Sequence, residues 1–185
     1  MAVLVEAISV IVRRDSIDRS FDGGWRAFVS CVPNATLCTD NQLARVGFMD
    51  PKAVGKFVEG LQAAGLVFLE SGKCTDIAVV DQERGPTIPC EWLEFAHIPF
   101  GKSGGRVDAC WLFEGPRLAA GVHIPGRSTD LATPEGWTLQ GSISQRFTFV
   151  PNENVGQRLK YLRTESGLDV FLDTSTGREV FKPRS

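Results

Sequence analysis

The sequence predicts an α+β protein: an N-terminal ferredoxin-like split β-α-β layer, then an antiparallel β-rich section. Three observations lead there. Residues 2 to 82 alternate apolar, strand-like runs with two stretches at helical spacing. Gly85-Pro86 and Pro89 punctuate the chain near its middle. Beyond them, short runs of strand composition are separated by frequent turn residues. At roughly 150 residues per domain, a chain of 185 makes one large domain or two small ones. The punctuation divides it into 1–85 and 86–185, or leaves one continuous domain whose character changes there.

The opening run, with Val3, Leu4, Val5, Val10, Ile11 and Val12, reads as a buried strand. It does not suit a secretory signal, because Arg13 and Arg14 follow the apolar stretch and Glu6 interrupts it. It is also far shorter than the ~20 apolar residues of a membrane helix. Ser20-Phe21-Asp22-Gly23-Gly24 then makes a turn, and Trp25, Phe28, Val29 and Val32 follow at helical spacing up to Pro33. Residues 35–39 and 42–48 read as strands around Asp40-Asn41. Asp50-Pro51 is the clearest helix start in the chain: the carboxylate can cap free N–H groups, and proline suits the first helical position. Val54, Phe57, Val58, Leu61 and Ala64 line one face of that helix, and Gly65 stands where a left-handed cap belongs. Residues 66–70 and 75–81 bracket Ser71-Gly72-Lys73 as a hairpin.

Two helices on one face leave the other face of such a sheet to be covered, by the rest of the chain or by a second copy. An opening strand apolar on both sides therefore suggests a homodimer. In the second half, 91–98, 106–114, 117–124, 137–150 and 168–181 carry strand composition. Residues 152–162 read as a helix through Val155, Leu159 and Leu162.

Composition excludes several classes. A hydrophobic share of 43% and a charged share of 23% exclude disorder and disulfide miniproteins. A net charge of −2 gives no reason to expect nucleic acid or an anionic membrane as partner. The cysteines (Cys31, Cys38, Cys74, Cys90, Cys110) are odd in number and lack the spacing of zinc knuckles or redox dithiols. They read as small buried hydrophobes of a reducing, cytoplasmic protein. No metal and no cofactor are predicted.

Candidate chemistry is sparse. Residues 96–103 approach a phosphate loop, but Ala96 replaces its first glycine, Pro99 removes an N–H from the cradle, and Ser103-Gly104-Gly105 cannot open a helix. What survives is an anion-holding group of Lys102, Ser103 and Arg106. The two histidines share a context, His97-Ile98-Pro99 and His123-Ile124-Pro125, each at the expected end of a strand stopped by proline. Neighbouring strands would bring both imidazoles to one rim. Cys90 is the least implausible nucleophile, although a strand would hold it ~23 Å from His97. The aromatic set has twelve Phe to one Tyr, which favours core over a stacking surface for nucleic acid or sugars.

These features predict a non-catalytic cytoplasmic binding protein for a small molecule or a protein partner, with His97, Lys102, Ser103, Arg106 and His123 as ligand-binding residues. The alternatives are a small-molecule enzyme assembled from distant residues around His97 and His123, and a purely structural homo-oligomer.

Overall fold

In the computed structural model, which describes residues 1–100, 105–113, 131–142, 159–165, 168–174, 177 and 179–183, the opening apolar run is two strands rather than one. β1 (Ala2–Val5) and β2 (Ile8–Arg13) lie in different sheets. The break falls at Glu6-Ala7, where Ala7 takes the left-handed conformation with φ 48°. That conformation costs a residue with a Cβ on the order of 1–2 kcal/mol. Gln82 holds the bend from both sides: its side-chain oxygen accepts from the Ala7 N–H, and its own N–H donates to the Ala7 carbonyl at 3.0 Å. The Ser9 hydroxyl bonds the Glu6 carbonyl at 3.2 Å.

Two helices follow β2. α1 (Arg14–Ser20) has no apolar stripe to announce it; only Ser16 and Ile17 are buried. α2 (Gly24–Cys31) ends before Pro33 as expected. β3 (Cys38–Thr39) is shorter than the predicted 35–39. There, side chains take over the backbone partners: Gly47 N–H donates to Thr36 Oγ1 at 2.7 Å, and Asn34 Nδ2 donates to the Gly47 carbonyl at 2.9 Å. β4 (Leu43–Phe48) leads to α3 (Pro51–Ala63), where Asp50 accepts from the Lys52 N–H and Val54, Phe57, Val58 and Leu61 are buried. β5 (Leu69–Glu70) and β6 (Lys73–Cys74) close a tight hairpin through Ser71 and Gly72, both at positive φ. β7 (Ile77–Asp81) and β8 (Gly85–Pro86) complete the first sheet.

That sheet has the order β3-β4-β2-β7-β8 and is antiparallel throughout. The strands that helices connect are not neighbours: β4 lies between β2 and β3, and β2 lies between β4 and β7. Phe48 of β4 meets Phe57 of α3 with ring centroids 5.4 Å apart, which marks the helix side of the sheet. Its register partner Ile8 shares that face, and alternation adds Val10 and Val12.

The opposite face carries Ser9, Ile11 and Arg45, and it is covered from within the chain. β9 (Leu93–Phe100), β10 (Gly105–Leu112) and β11 (Leu131–Ala132) join β1 in a second sheet of order β11-β1-β10-β9. Arg45, 1% exposed, donates to the Glu6 carbonyl at 3.2 Å and to Ser9 Oγ at 2.9 Å, so it ties β4 to the bend after β1. All four residues of β1 are buried. This intrachain cover removes the reason that the opening run gave for a dimer.

The expected boundary at Gly85-Pro86 falls inside β8, and β1 pairs with β10 across it. The compact units are Met1–Trp137 and Thr138–Ser185. In the second unit β12 (Leu159–Glu165), β13 (Leu168–Asp173) and β14 (Glu179–Pro183) form an antiparallel sheet. The predicted helix is therefore overturned over 159–162, where pairing with β13 outweighs a weak helical spacing. Its remainder lies outside the described residues, as do the predicted strand 117–124 and residues 143–150. Trp137 is not in a strand: its N–H closes a turn on the Pro134 carbonyl at 3.1 Å, with Gly136 at φ 72°. Among the described residues no helix is long and apolar enough to cross a membrane.

Candidate functional site

Of the five residues read from the sequence as ligand-binding, His97 and Arg106 are brought together, and Lys102, Ser103 and His123 lie outside the described residues. His97 is not at a strand end. β9 continues through Pro99, which pairs with Arg106, to Phe100 opposite Gly105. Proline is tolerated because β9 is the edge strand, where every second N–H points away from the ladder. Residues 96–100 of the apparent phosphate loop are thus paired strand rather than a cradle of free N–H groups.

The pairing sets His97 directly opposite Asp108. Asp108 is 2% exposed, and its Oδ1 lies 2.6 Å from His97 Nδ1 and 3.1 Å from Arg106 Nε. Arg106 Nη2 continues to Glu83 Oε2 at 3.2 Å. Glu83 is presented by a turn in which Asp81 Oδ1 accepts from the N–H groups of Glu83 and Arg84. Burial pushes the Arg106 guanidinium down, but Asp108 and Glu83 outweigh it and the net shift is upward. Phe95 meets the His97 ring edge-on at 5.0 Å, and Gly85, at φ 80°, lets Phe95 approach: a Cβ there would stand 2.9 Å from the ring.

A buried carboxylate accepting from Nδ1–H holds the imidazole in one orientation and leaves Nε2 as its basic nitrogen. With 41% of the His97 side chain exposed, that ring is reachable from solvent. Sequence reasoning singled out His97 and Arg106 but not Asp108 and Glu83, the carboxylates the structure sets beside them. The signal for Asp108 was the hairpin register: counting back from the 101–104 connection places 108 opposite 97.

A second feature lies on the helix side of the first sheet. A pocket of about 400 Å³ is lined by Phe21, Phe48, Phe57, Leu61 and neighbours on α2 and α3. Lys56 is the one charged group among its lining residues, and Gly60 opens its wall. Apolar lining with one cation suits a molecule with an apolar body and an anionic end. No residue of this pocket was singled out from the sequence as a site. Its apolar members carry the same periodicity as core, and spacing does not separate a pocket wall from a packed helix face.

Among the described residues no three His, Cys, Asp or Glu side chains stand together as a metal-ligand set. The chain matches no protein-family model, no curated protein and no solved structure.

Proposed function

We propose that the protein binds a small molecule without chemistry of its own, in the pocket between α2, α3 and the end of β4. The observation that carries this is the pocket itself: ligand-sized, walled by phenylalanine and leucine, with Lys56 as its charged lining residue. The ligand class is an apolar body bearing a carboxylate or sulfonate. The strand order supports a ferredoxin-like reading of residues 8–81, in which the helices form one wall of the site. Five free thiols support a cytoplasmic location.

The test uses anilinonaphthalene sulfonate as an optical probe and decanoate as competitor. Binding predicts a fluorescence rise that decanoate reverses, weakened in Lys56→Glu and abolished in Gly60→Leu. Gly60 lines the pocket and a Cβ there meets nothing within 4 Å, so a leucine starts from open space beside the site, and the variant's unfolding midpoint is measured alongside. Equal probe binding in wild type and Gly60→Leu would remove the proposal.

A second reading, a small-molecule enzyme around His97, is favoured by the His97–Asp108 pair. It expects slow p-nitrophenyl acetate hydrolysis that disappears in His97→Gln at an unchanged unfolding midpoint. Equal rates in the two proteins exclude it.

A further inference from the structure

Cys74 and Cys90 are separated in sequence by a stretch that includes β7 and β8, and neither belongs to a recognisable dithiol motif. The fold nevertheless zips their segments together. The Cys74 N–H donates to the Pro89 carbonyl at 3.0 Å, and Trp92 Nε1 donates to the Cys74 carbonyl at 3.1 Å. One residue to either side, the Lys73 ammonium pairs with the Glu91 carboxylate. Between these ties Cys74 Sγ reaches the Ile88 carbonyl at 3.9 Å, and the Cys90 thiol lies close enough to Cys74 to shift its ionisation. Cys74 is buried at 6% exposure, whereas Cys90 is half-buried and gives the pair its access to solvent.

We infer that Cys74 and Cys90 are a dithiol oxidation site, closed to a disulfide by a hydroperoxide and reopened by a thiol reductant.

The chemistry follows from two thiols that the paired backbones hold side by side. When one sulfur ionises, the other's S–H stays to bond it. The contact therefore lowers the first ionisation, assigned to Cys74, and raises the second, assigned to Cys90, where burial adds to the rise. The thiolate attacks one peroxide oxygen, the O–O bond breaks, and the alkoxide or hydroxide leaves with the proton that the thiol gave up. The resulting sulfenic acid is then attacked by the second sulfur, whose proton departs with the hydroxyl as water as the S–S bond forms. Two thiols lose one electron each, and the peroxide takes both. Cys31, exposed on α2, has no such partner among the other cysteines and serves as the comparison.

The experiment treats the full chain with hydrogen peroxide, quenches with iodoacetamide, and maps peptides without reduction. The expected result is a cross-linked peptide pair joining Cys74 to Cys90, lighter by two hydrogens and unalkylated at both sulfurs. Dithiothreitol should restore both alkylation sites. Cys31→Ser should leave the cross-link in place, and Cys90→Ser should abolish it. Because Cys90→Ser could disturb packing at β6, its unfolding midpoint is measured alongside, and the wild-type map stands without it. Sulfinic or sulfonic acid on either sulfur without a cross-link, or two sulfurs that stay fully alkylated after peroxide, would overturn the inference.

Discussion

Gly47 and Arg45 share one face of β4, and a Cβ on Gly47 would stand 2.5 Å from Arg45 Nη2. Glycine is therefore what makes room for a guanidinium sealed between the two sheets. Burial pushes that guanidinium down in pKa, and Cys38, Glu6 and Cys110 oppose the shift. Three hydrogen bonds hold it, to Ser9 Oγ and to the carbonyls of Thr36 and Glu6. A buried charge stripped of such partners costs several kcal/mol, so the side chain has nowhere cheap to go.

Gly47→Ala should consequently destabilise the fold by about 1–3 kcal/mol, the range for overpacking a filled site. Urea unfolding midpoints of the two proteins measure it. An unchanged midpoint would mean that Arg45 can turn aside and is not fixed by its three acceptors.

Helix α3 gives a contrasting pair. Gly55 is exposed with nothing within 4 Å of a Cβ, so Gly55→Ala should stabilise the protein by up to about 1 kcal/mol through helix propensity alone. Phe57 is 8% exposed and packs on Phe48, so Phe57→Ala should cost about 3 kcal/mol. The lower end of the usual range applies because its ring already borders a cavity. Thermal unfolding of both variants tests the two signs together.

For the His97 cluster, Asp108→Ala removes the acceptor of two donors from a buried position. The loss should be about 1–3 kcal/mol, while His97→Ala, at a half-exposed partner, should cost less. Neither change should alter binding of the optical probe, because no residue of the cluster lines the helix-side pocket. Probe binding that falls in Asp108→Ala at an intact fold would join the two features into one site.

The contrast between α3 and the opening run shows where sequence was sufficient. Asp50-Pro51 and the spacing of Val54, Phe57, Val58 and Leu61 are local signals, and the helix forms where they place it. The split between β1 and β2 has no local mark, since the left-handed residue is alanine rather than glycine. It is imposed by Gln82, 75 residues away in sequence. Pro99 misled for a related reason: whether proline ends a strand depends on that strand lying at an edge, which only the sheet order reveals. His97 was legible as a residue and Asp108 was not, because a cross-strand partner is a property of register. Cys74 and Cys90 show the same dependence, since their approach follows from pairing between segments that no spacing rule connects.

The last prediction concerns alkaline pH and rests on Cys110. This thiol lies in β10 opposite Val3 and is 0% exposed. Burial pushes its pKa up, Arg45 opposes the shift, and Asp108 adds to it. Cys38 is raised by burial in the same way. In the unfolded chain a thiol ionises near pH 8.5, whereas in the fold Cys110 keeps its proton across the accessible range. Below pH ~8.5 both states hold the proton, and the thiol contributes no pH dependence. Above it the unfolded state releases protons that the folded state retains, so stability falls as pH rises, by up to about 1.4 kcal/mol per pH unit for each sealed thiol. Urea unfolding with reductant present, at intervals from pH 7.5 to pH 10, should show wild type losing roughly 2 kcal/mol more than Cys110→Ala over that span. The variant starts from a lower stability because it has lost buried sulfur, so the slopes are compared rather than the values. Lysine and tyrosine titrations are common to both proteins and cancel in the comparison. Parallel slopes would show that Cys110 ionises within the folded protein, and that β1 and β10 do not seal it from solvent.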